Sequence, residues 1–225
     1  MVPVPVFNPL MPIIELVFTV IAVFLCFLIY FKTRESYELT KHKGIRYFRD
    51  AFLFLGLSFV MRFFFSLMMF SSFAFDFIIP RDMFGPLFIL PLGYFSTMGI
   101  FYLIFGTIWK QVDNKAMLII GHIIAVALSV VSFITKSHIM LLLLQSVMLV
   151  IVIILSFIAH KSEKKLSQTR ILYILVAALW LINLWIIDRG GPRRMPFHPA
   201  TEIFFHLIFL AVFVIIYHKV SKWIK

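Results

Sequence analysis

Arg62 lies inside Phe59-Val60-Met61-Arg62-Phe63-Phe64-Phe65, near the middle of a long hydrophobic run. In a membrane helix a permanent cation at that position costs about 3 kcal/mol on insertion scales. It needs a carboxylate, a water-filled cavity or an anionic ligand. Its chemistry is therefore electrostatic: it can anchor a small anion, take part in a proton or ion pathway, or form an ion pair that fixes helix packing. Glu15 and Glu202 are the carboxylates at matching depth. Ser58, Arg62 and Ser66 follow i, i+4, i+8 and share one helix face, and His198, Glu202 and His206 repeat the spacing. Polar stripes of this kind face a bundle interior, not lipid.

The His-x3-Glu-x3-His stripe carries a second chemistry. His198, Glu202 and His206 could offer three ligands to zinc or another divalent ion from one helical face, or form a proton relay. The plainer alternative leaves His198 in a loop, pairs Glu202 with Arg62 and gives His206 an internal hydrogen bond. Haem between helices would need two histidines on facing helices at compatible depth. His122 falls in the inner half of its span and His206 in the outer half of its own, so haem is disfavoured. No cofactor is expected, and a divalent metal stays open.

The elements that position these residues are membrane spans. Of the 225 residues, 62% are hydrophobic and 14% charged, and the mean hydropathy is +1.03. Soluble domains run to about 45–50% apolar and about 25% charged residues, so much of this surface must face a bilayer. Seven apolar runs stand at roughly 11–31, 48–75, 86–109, 116–134, 138–159, 170–187 and 200–219. Each reaches or approaches the ~20 residues that cross ~30 Å as a helix. The expected fold is an all-α integral membrane protein, one domain of seven transmembrane helices over 1–225. Spans one and two flank a basic loop ending in Arg46, and spans five and six flank one ending in Arg170, a layout compatible with a 3+1+3 duplication. No basic residue precedes the first run, which reads as a retained helix and not a signal peptide.

Orientation follows from the cations. Lys32, Arg34, Lys41, Lys43, Arg46, Arg49, Lys110, Lys115, Lys161, Lys164, Lys165, Arg170, Lys219, Lys222 and Lys225 fall on one side, fifteen in all. Arg81, Lys136, Arg189, Arg193 and Arg194 fall on the other. The positive-inside rule puts the fifteen in the cytoplasm, the N-terminus outside and the C-terminus inside. The net charge of +11 is thus explained by orientation and by contact with anionic lipid heads, and nucleic acid is excluded as a partner. Cys26 is alone and builds no disulfide.

With that orientation, depth can be counted at ~1.5 Å per residue. Arg62, about 13 residues from the cytoplasmic end of its span, lies outward of the midplane. Glu15, Tyr94, Thr97, Gln145, Asn183, Glu202 and His206 fall at similar depth, so polar groups from six helices are expected to converge on one outer layer. Seven spans with the N-terminus outside resemble the opsin, receptor and small sugar-transporter arrangement. Where a microbial opsin carries its retinal lysine, this chain has Leu207-Ile208-Phe209-Leu210-Ala211-Val212-Phe213, which implies no retinal. Pro-Gln pairs typical of the sugar transporters are absent. The histidines of the seventh span are similar to those of membrane hydrolases related to ceramidases and adiponectin-type receptors. Those hydrolases space their histidines four apart and add a serine and a histidine from the second helix. Here the spacing is eight, around Glu202, and the second span has Ser58 and Ser66 but no histidine.

The reading that results is a plasma-membrane protein with an outward-facing polar pocket. Arg62, Glu15, Glu202, His206, Gln145, Asn183, Tyr94, Ser58 and Ser66 would bind a small anionic ligand or ion, as a sensor or transporter. The rivals are a metal-dependent membrane enzyme using His198, Glu202 and His206, and a structural or accessory subunit. A homo-oligomer is compatible with either.

Overall fold

The computed structural model describes residues 10–75, 81–109, 115–135, 138–159, 167–189 and 199–223. These form seven helices: α1 Leu10–Thr40, α2 Lys43–Ala74, α3 Arg81–Thr107, α4 Lys115–Ile134, α5 His138–Ala159, α6 Ser167–Arg189 and α7 Pro199–Trp223. Six are long and apolar enough to cross a membrane; in α6 the described apolar stretch, Arg170–Leu184, is shorter. Large apolar side chains such as Phe24, Ile123, Leu143 and Phe204 stand exposed. In water such a surface would drive aggregation, and in a bilayer it is the ordinary outer face. The chain is a membrane-like helical bundle.

The helices overrun the apolar runs. At ~1.5 Å per residue the 31 residues of α1 reach well past a ~30 Å hydrocarbon layer. Its polar end carries exposed Lys32–Glu35 and Arg34–Glu38 ion pairs at 2.9 and 2.8 Å, spaced three and four residues apart, which favour the helix there. The expected basic loop between the first two spans therefore shrinks to Lys41 and His42. Lys41 takes a left-handed conformation (φ 52°), and its N–H donates to Tyr37 O at 2.8 Å, closing α1 in the manner usual for glycine. The His42 carbonyl then accepts from Ile45 and Arg46 and opens α2. Pro91 lies within a continuous α3.

Packing closes a ring in the order α1, α2, α3, α5, α6, α7 and back to α1, with α4 outside it against α3 and, more lightly, α5. α4 approaches through small buried residues, Gly121, Ala125, Ser129 and Ser132. The centre of the ring is filled with rings. Trp180, Phe48, Phe52, Phe59, Phe209 and Phe213 are all fully buried. Trp180 reaches from α6 to α3, where a Cβ on Gly99 would lie 2.3 Å from its Cη2 and 3.3 Å from Ala51 O. Tyr173 does the same against Gly106, whose Cβ would lie 2.5 Å from the phenol oxygen. Glycine is required at both positions by close approach, not by backbone conformation.

Gly99→Ala should therefore destabilise the bundle by about 1–3 kcal/mol, the usual cost of overpacking. In a Trp180→Phe background the same substitution should cost less, because the clashing ring edge is gone. Thermal unfolding of the four proteins in one detergent measures this; equal costs in both backgrounds would contradict the contact.

Candidate polar site

Four of the polar residues singled out by the sequence meet. The Arg62 Nε–H on α2 donates to Glu15 Oε1 on α1, and its Nη1–H donates to Asn183 Oδ1 on α6 at 3.0 Å. His206 on α7 brings Nε2 to 3.2 Å from the other oxygen of Glu15. One carboxylate thus bridges a guanidinium and an imidazole, and one guanidinium bridges a carboxylate and an amide. The group ties together helices far apart in sequence, which the i→i−4 backbone bonds within each α-helix cannot do. Arg62 and His206 are more deeply enclosed, with 11% and 5% of their side chains exposed, and Glu15 is the more open at 21%.

Each of these residues has an aromatic residue three positions away, one helical turn along the same face. The pairs are Glu15 with Phe18, Arg62 with Phe59, Asn183 with Trp180, and His206 with Phe209. Because neighbouring helices run antiparallel, all four aromatics fall on the same side of the polar group, and all four are buried. Phe18, Phe59 and Phe209 meet edge to face, with centroids 5.2 to 6.1 Å apart. The His206 ring stands on Phe18 at 4.1 Å, and the Arg62 guanidinium lies over the same ring at 5.5 Å. An aromatic floor therefore underlies the polar group and adds a cation–π contact to its cation. Pairs of this kind are visible in the sequence as polar–aromatic spacings of three, a signal the polar stripes alone did not use.

The residues expected at one depth do not all join the Arg62 group; Gln145 and Thr97 meet each other apart from it. Gln145 on α5 is buried and donates through Nε2 to Ser96 Oγ at 2.7 Å and Thr97 Oγ1 at 2.9 Å on α3. Tyr94, expected in the outer layer, hydrogen-bonds His122 Nδ1 at 2.9 Å, a residue expected in the inner half of α4. Counting residues along one helix ignores where each side chain finds its partner. Ser58 is buried and donates to Leu55 O at 2.8 Å, back onto its own helix; Ser66 is buried as well. His198 lies outside the described residues, and so does the side chain of Glu202. Among the described residues no three His, Cys, Asp or Glu gather as a metal site would require.

No family model matches the chain, and no solved structure matches it. An uncharacterized protein of Archaeoglobus fulgidus is 26% identical over 230 residues, an alignment that takes in 98% of this chain and 99% of that one. The two are similar over their whole lengths, and the relative's name assigns no activity.

Removing one partner of a buried pair leaves a charge uncompensated and costs about 3–5 kcal/mol, whereas replacing both by apolar residues can be nearly neutral. Arg62→Met and Glu15→Leu should each lower stability by that amount, and the double variant by much less than their sum. Additive losses in a double-mutant cycle would contradict a direct pair.

Proposed function

We propose that this chain is a multi-pass plasma-membrane protein that recognises a small anion at the Arg62 group, as a sensor or a transporter. In this reading all seven helices span, the N-terminus is outside, and the group faces outward. The observation that carries it is the state of the guanidinium. Nε and Nη1 are engaged, while Nη2 has no hydrogen-bond partner among the described residues. A guanidinium is a planar fork suited to carboxylate or phosphate. An anion arriving past the half-open Glu15 would meet Nη2 first and then compete with Glu15 for the cation. Glu15 would keep His206 as its partner, so the carboxylate need not be stranded. Asn183 and the aromatic floor would hold the guanidinium in place throughout.

The floor bears on which of the two tasks is performed. Phe18, Phe59 and Phe209 pack edge to face beneath the site, and binding without flux asks for no motion of these rings. Transport would need the three rings to part. A packing role is the second reading, favoured by the same ion pair: a cation already met by Glu15 and Asn183 needs no ligand. The metalloenzyme reading rests on His198 and Glu202 and gains no support from the described residues.

The test uses the full chain in vesicles, with phosphate and succinate as probe anions. Sidedness is fixed by labelling Ser137→Cys from outside and Ser162→Cys from inside, Cys26 being buried. Binding should appear as thermal stabilisation that is lost in Arg62→Gln, and entry of labelled anion would separate transporter from sensor. If neither anion binds and Arg62→Met/Glu15→Leu is as stable as the parent, the group is a packing element.

A further inference from the structure

A second polar cluster lies on the flank of the bundle and shares no residue with the Arg62 group. His122 is seven residues into α4, ~10 Å along the helix from Lys115. Its Nδ1 meets the Tyr94 hydroxyl of α3 at 2.9 Å. Phe54 of α2 lies against Tyr102, Tyr94 and His122 with centroid separations of 5.1, 6.2 and 6.2 Å. Tyr102 faces His122 at 6.4 Å, nearly perpendicular at 77°. Three helices thus build one aromatic patch around two hydrogen-bonding side chains.

The patch is not core. Phe54, Tyr94, Tyr102 and His122 are each half-buried, and on α4 the neighbouring Ile119 and Ile123 are exposed. It therefore opens sideways, towards the acyl chains. A Tyr94 O–H donating to Nδ1 leaves the proton of a neutral imidazole on Nε2. Nε2–H and the Tyr102 O–H are then two donors, and neither has a partner among the described residues. Hydrocarbon offers such donors nothing, and unmet polar groups at that depth are costly. The occupant that answers them has acceptor oxygens, a flat apolar body to lie on aromatic rings, and solubility in the bilayer.

We propose that the patch binds an isoprenoid quinone from the membrane. Its ring lies on the Phe54 and tyrosine rings, its carbonyl oxygens accept from His122 Nε2–H and Tyr102 O–H, and its tail follows the exposed apolar face of α4. A phospholipid head is a poorer match: Arg46, the cation near Tyr102, already faces Asp50 at 3.8 Å, and that carboxylate would repel a phosphate. A second copy of this chain would cover the patch but has no obligatory pair of acceptors to offer.

The test uses the full-length protein in phosphatidylcholine nanodiscs, titrated with decylubiquinone. Binding is read by retention on the protein-bearing discs and by quenching of tryptophan emission. Trp109 packs against the adjoining Tyr47–Phe105 cluster with Tyr102. The proposal expects saturable binding of about one quinone per chain. Loss of each donor, in His122→Phe and in Tyr102→Phe, should weaken it roughly tenfold, the scale of one hydrogen bond. His122→Gln keeps an N–H donor and should retain most of the affinity, which a merely structural role for the ring would not predict. Tyr102→Phe breaks no hydrogen bond among the described residues and should melt like the parent, whereas His122→Phe also loses the Tyr94 bond, so its affinity is read beside its own melting and against His122→Gln. Linear partitioning without saturation would overturn the proposal, as would saturable binding indifferent to both donors. Dimers that part in His122→Phe, with no saturable quinone, would overturn it in favour of an interface between copies.

Discussion

A cation in hydrocarbon must be met, and the bundle is arranged around meeting Arg62. A guanidinium is a permanent cation, so the charge has to be met by a partner. The protein answers with a carboxylate from α1, an amide from α6, a histidine from α7 that steadies the carboxylate, and an aromatic face below. Four helices are thereby registered against one another at one level. Lateral packing of Phe and Leu surfaces alone would fix that register poorly, because one apolar turn replaces another at small cost. A single guanidinium with two directed bonds does not slide.

Below that level the constraint changes from charge to volume. Trp180 and Tyr173 fill the space between α6 and α3 only because Gly99 and Gly106 carry no side chain. The Gln145 latch to Ser96 and Thr97 adds a directed tie between α5 and α3. α4, held by a small-residue face and by His122 on Tyr94, is attached to the outside of this ring. Recognition at Arg62 and recognition at His122 would then report on different parts of the fold: the closed ring in one case and the attachment of α4 in the other.

Much of this was legible in the sequence. Helix positions follow from apolar runs, and Arg62, Glu15, Asn183 and His206 stand out because polar residues in such runs need partners. Their meeting was foreseeable from depth, which is one-dimensional. What depth cannot give is azimuth. Tyr94 and Gln145 share the counted level with Arg62 yet turn to His122 and to Ser96 and Thr97, because each pairs with whichever helix faces it. The aromatic floor escaped for another reason: in a chain with 28 Phe, no single phenylalanine is conspicuous until the ring of helices is closed. The long polar end of α1 escaped because span length is read from hydropathy, whereas a helix can continue through polar residues, here with Lys32–Glu35 and Arg34–Glu38 pairs along it.

The central claim is that Arg62 and Glu15 touch within the bilayer. The most direct measurement is a solid-state NMR dipolar distance from arginine Nε to glutamate Cδ in lipid vesicles. An Arg34→Lys background removes the Arg34–Glu38 pair, which would otherwise contribute its own contact. A separation under about 4.5 Å, as a direct hydrogen bond requires, that vanishes in Glu15→Gln is the predicted result. No measurable coupling in the folded protein would mean that the cation is met some other way, and the account of the four-helix tie would fail.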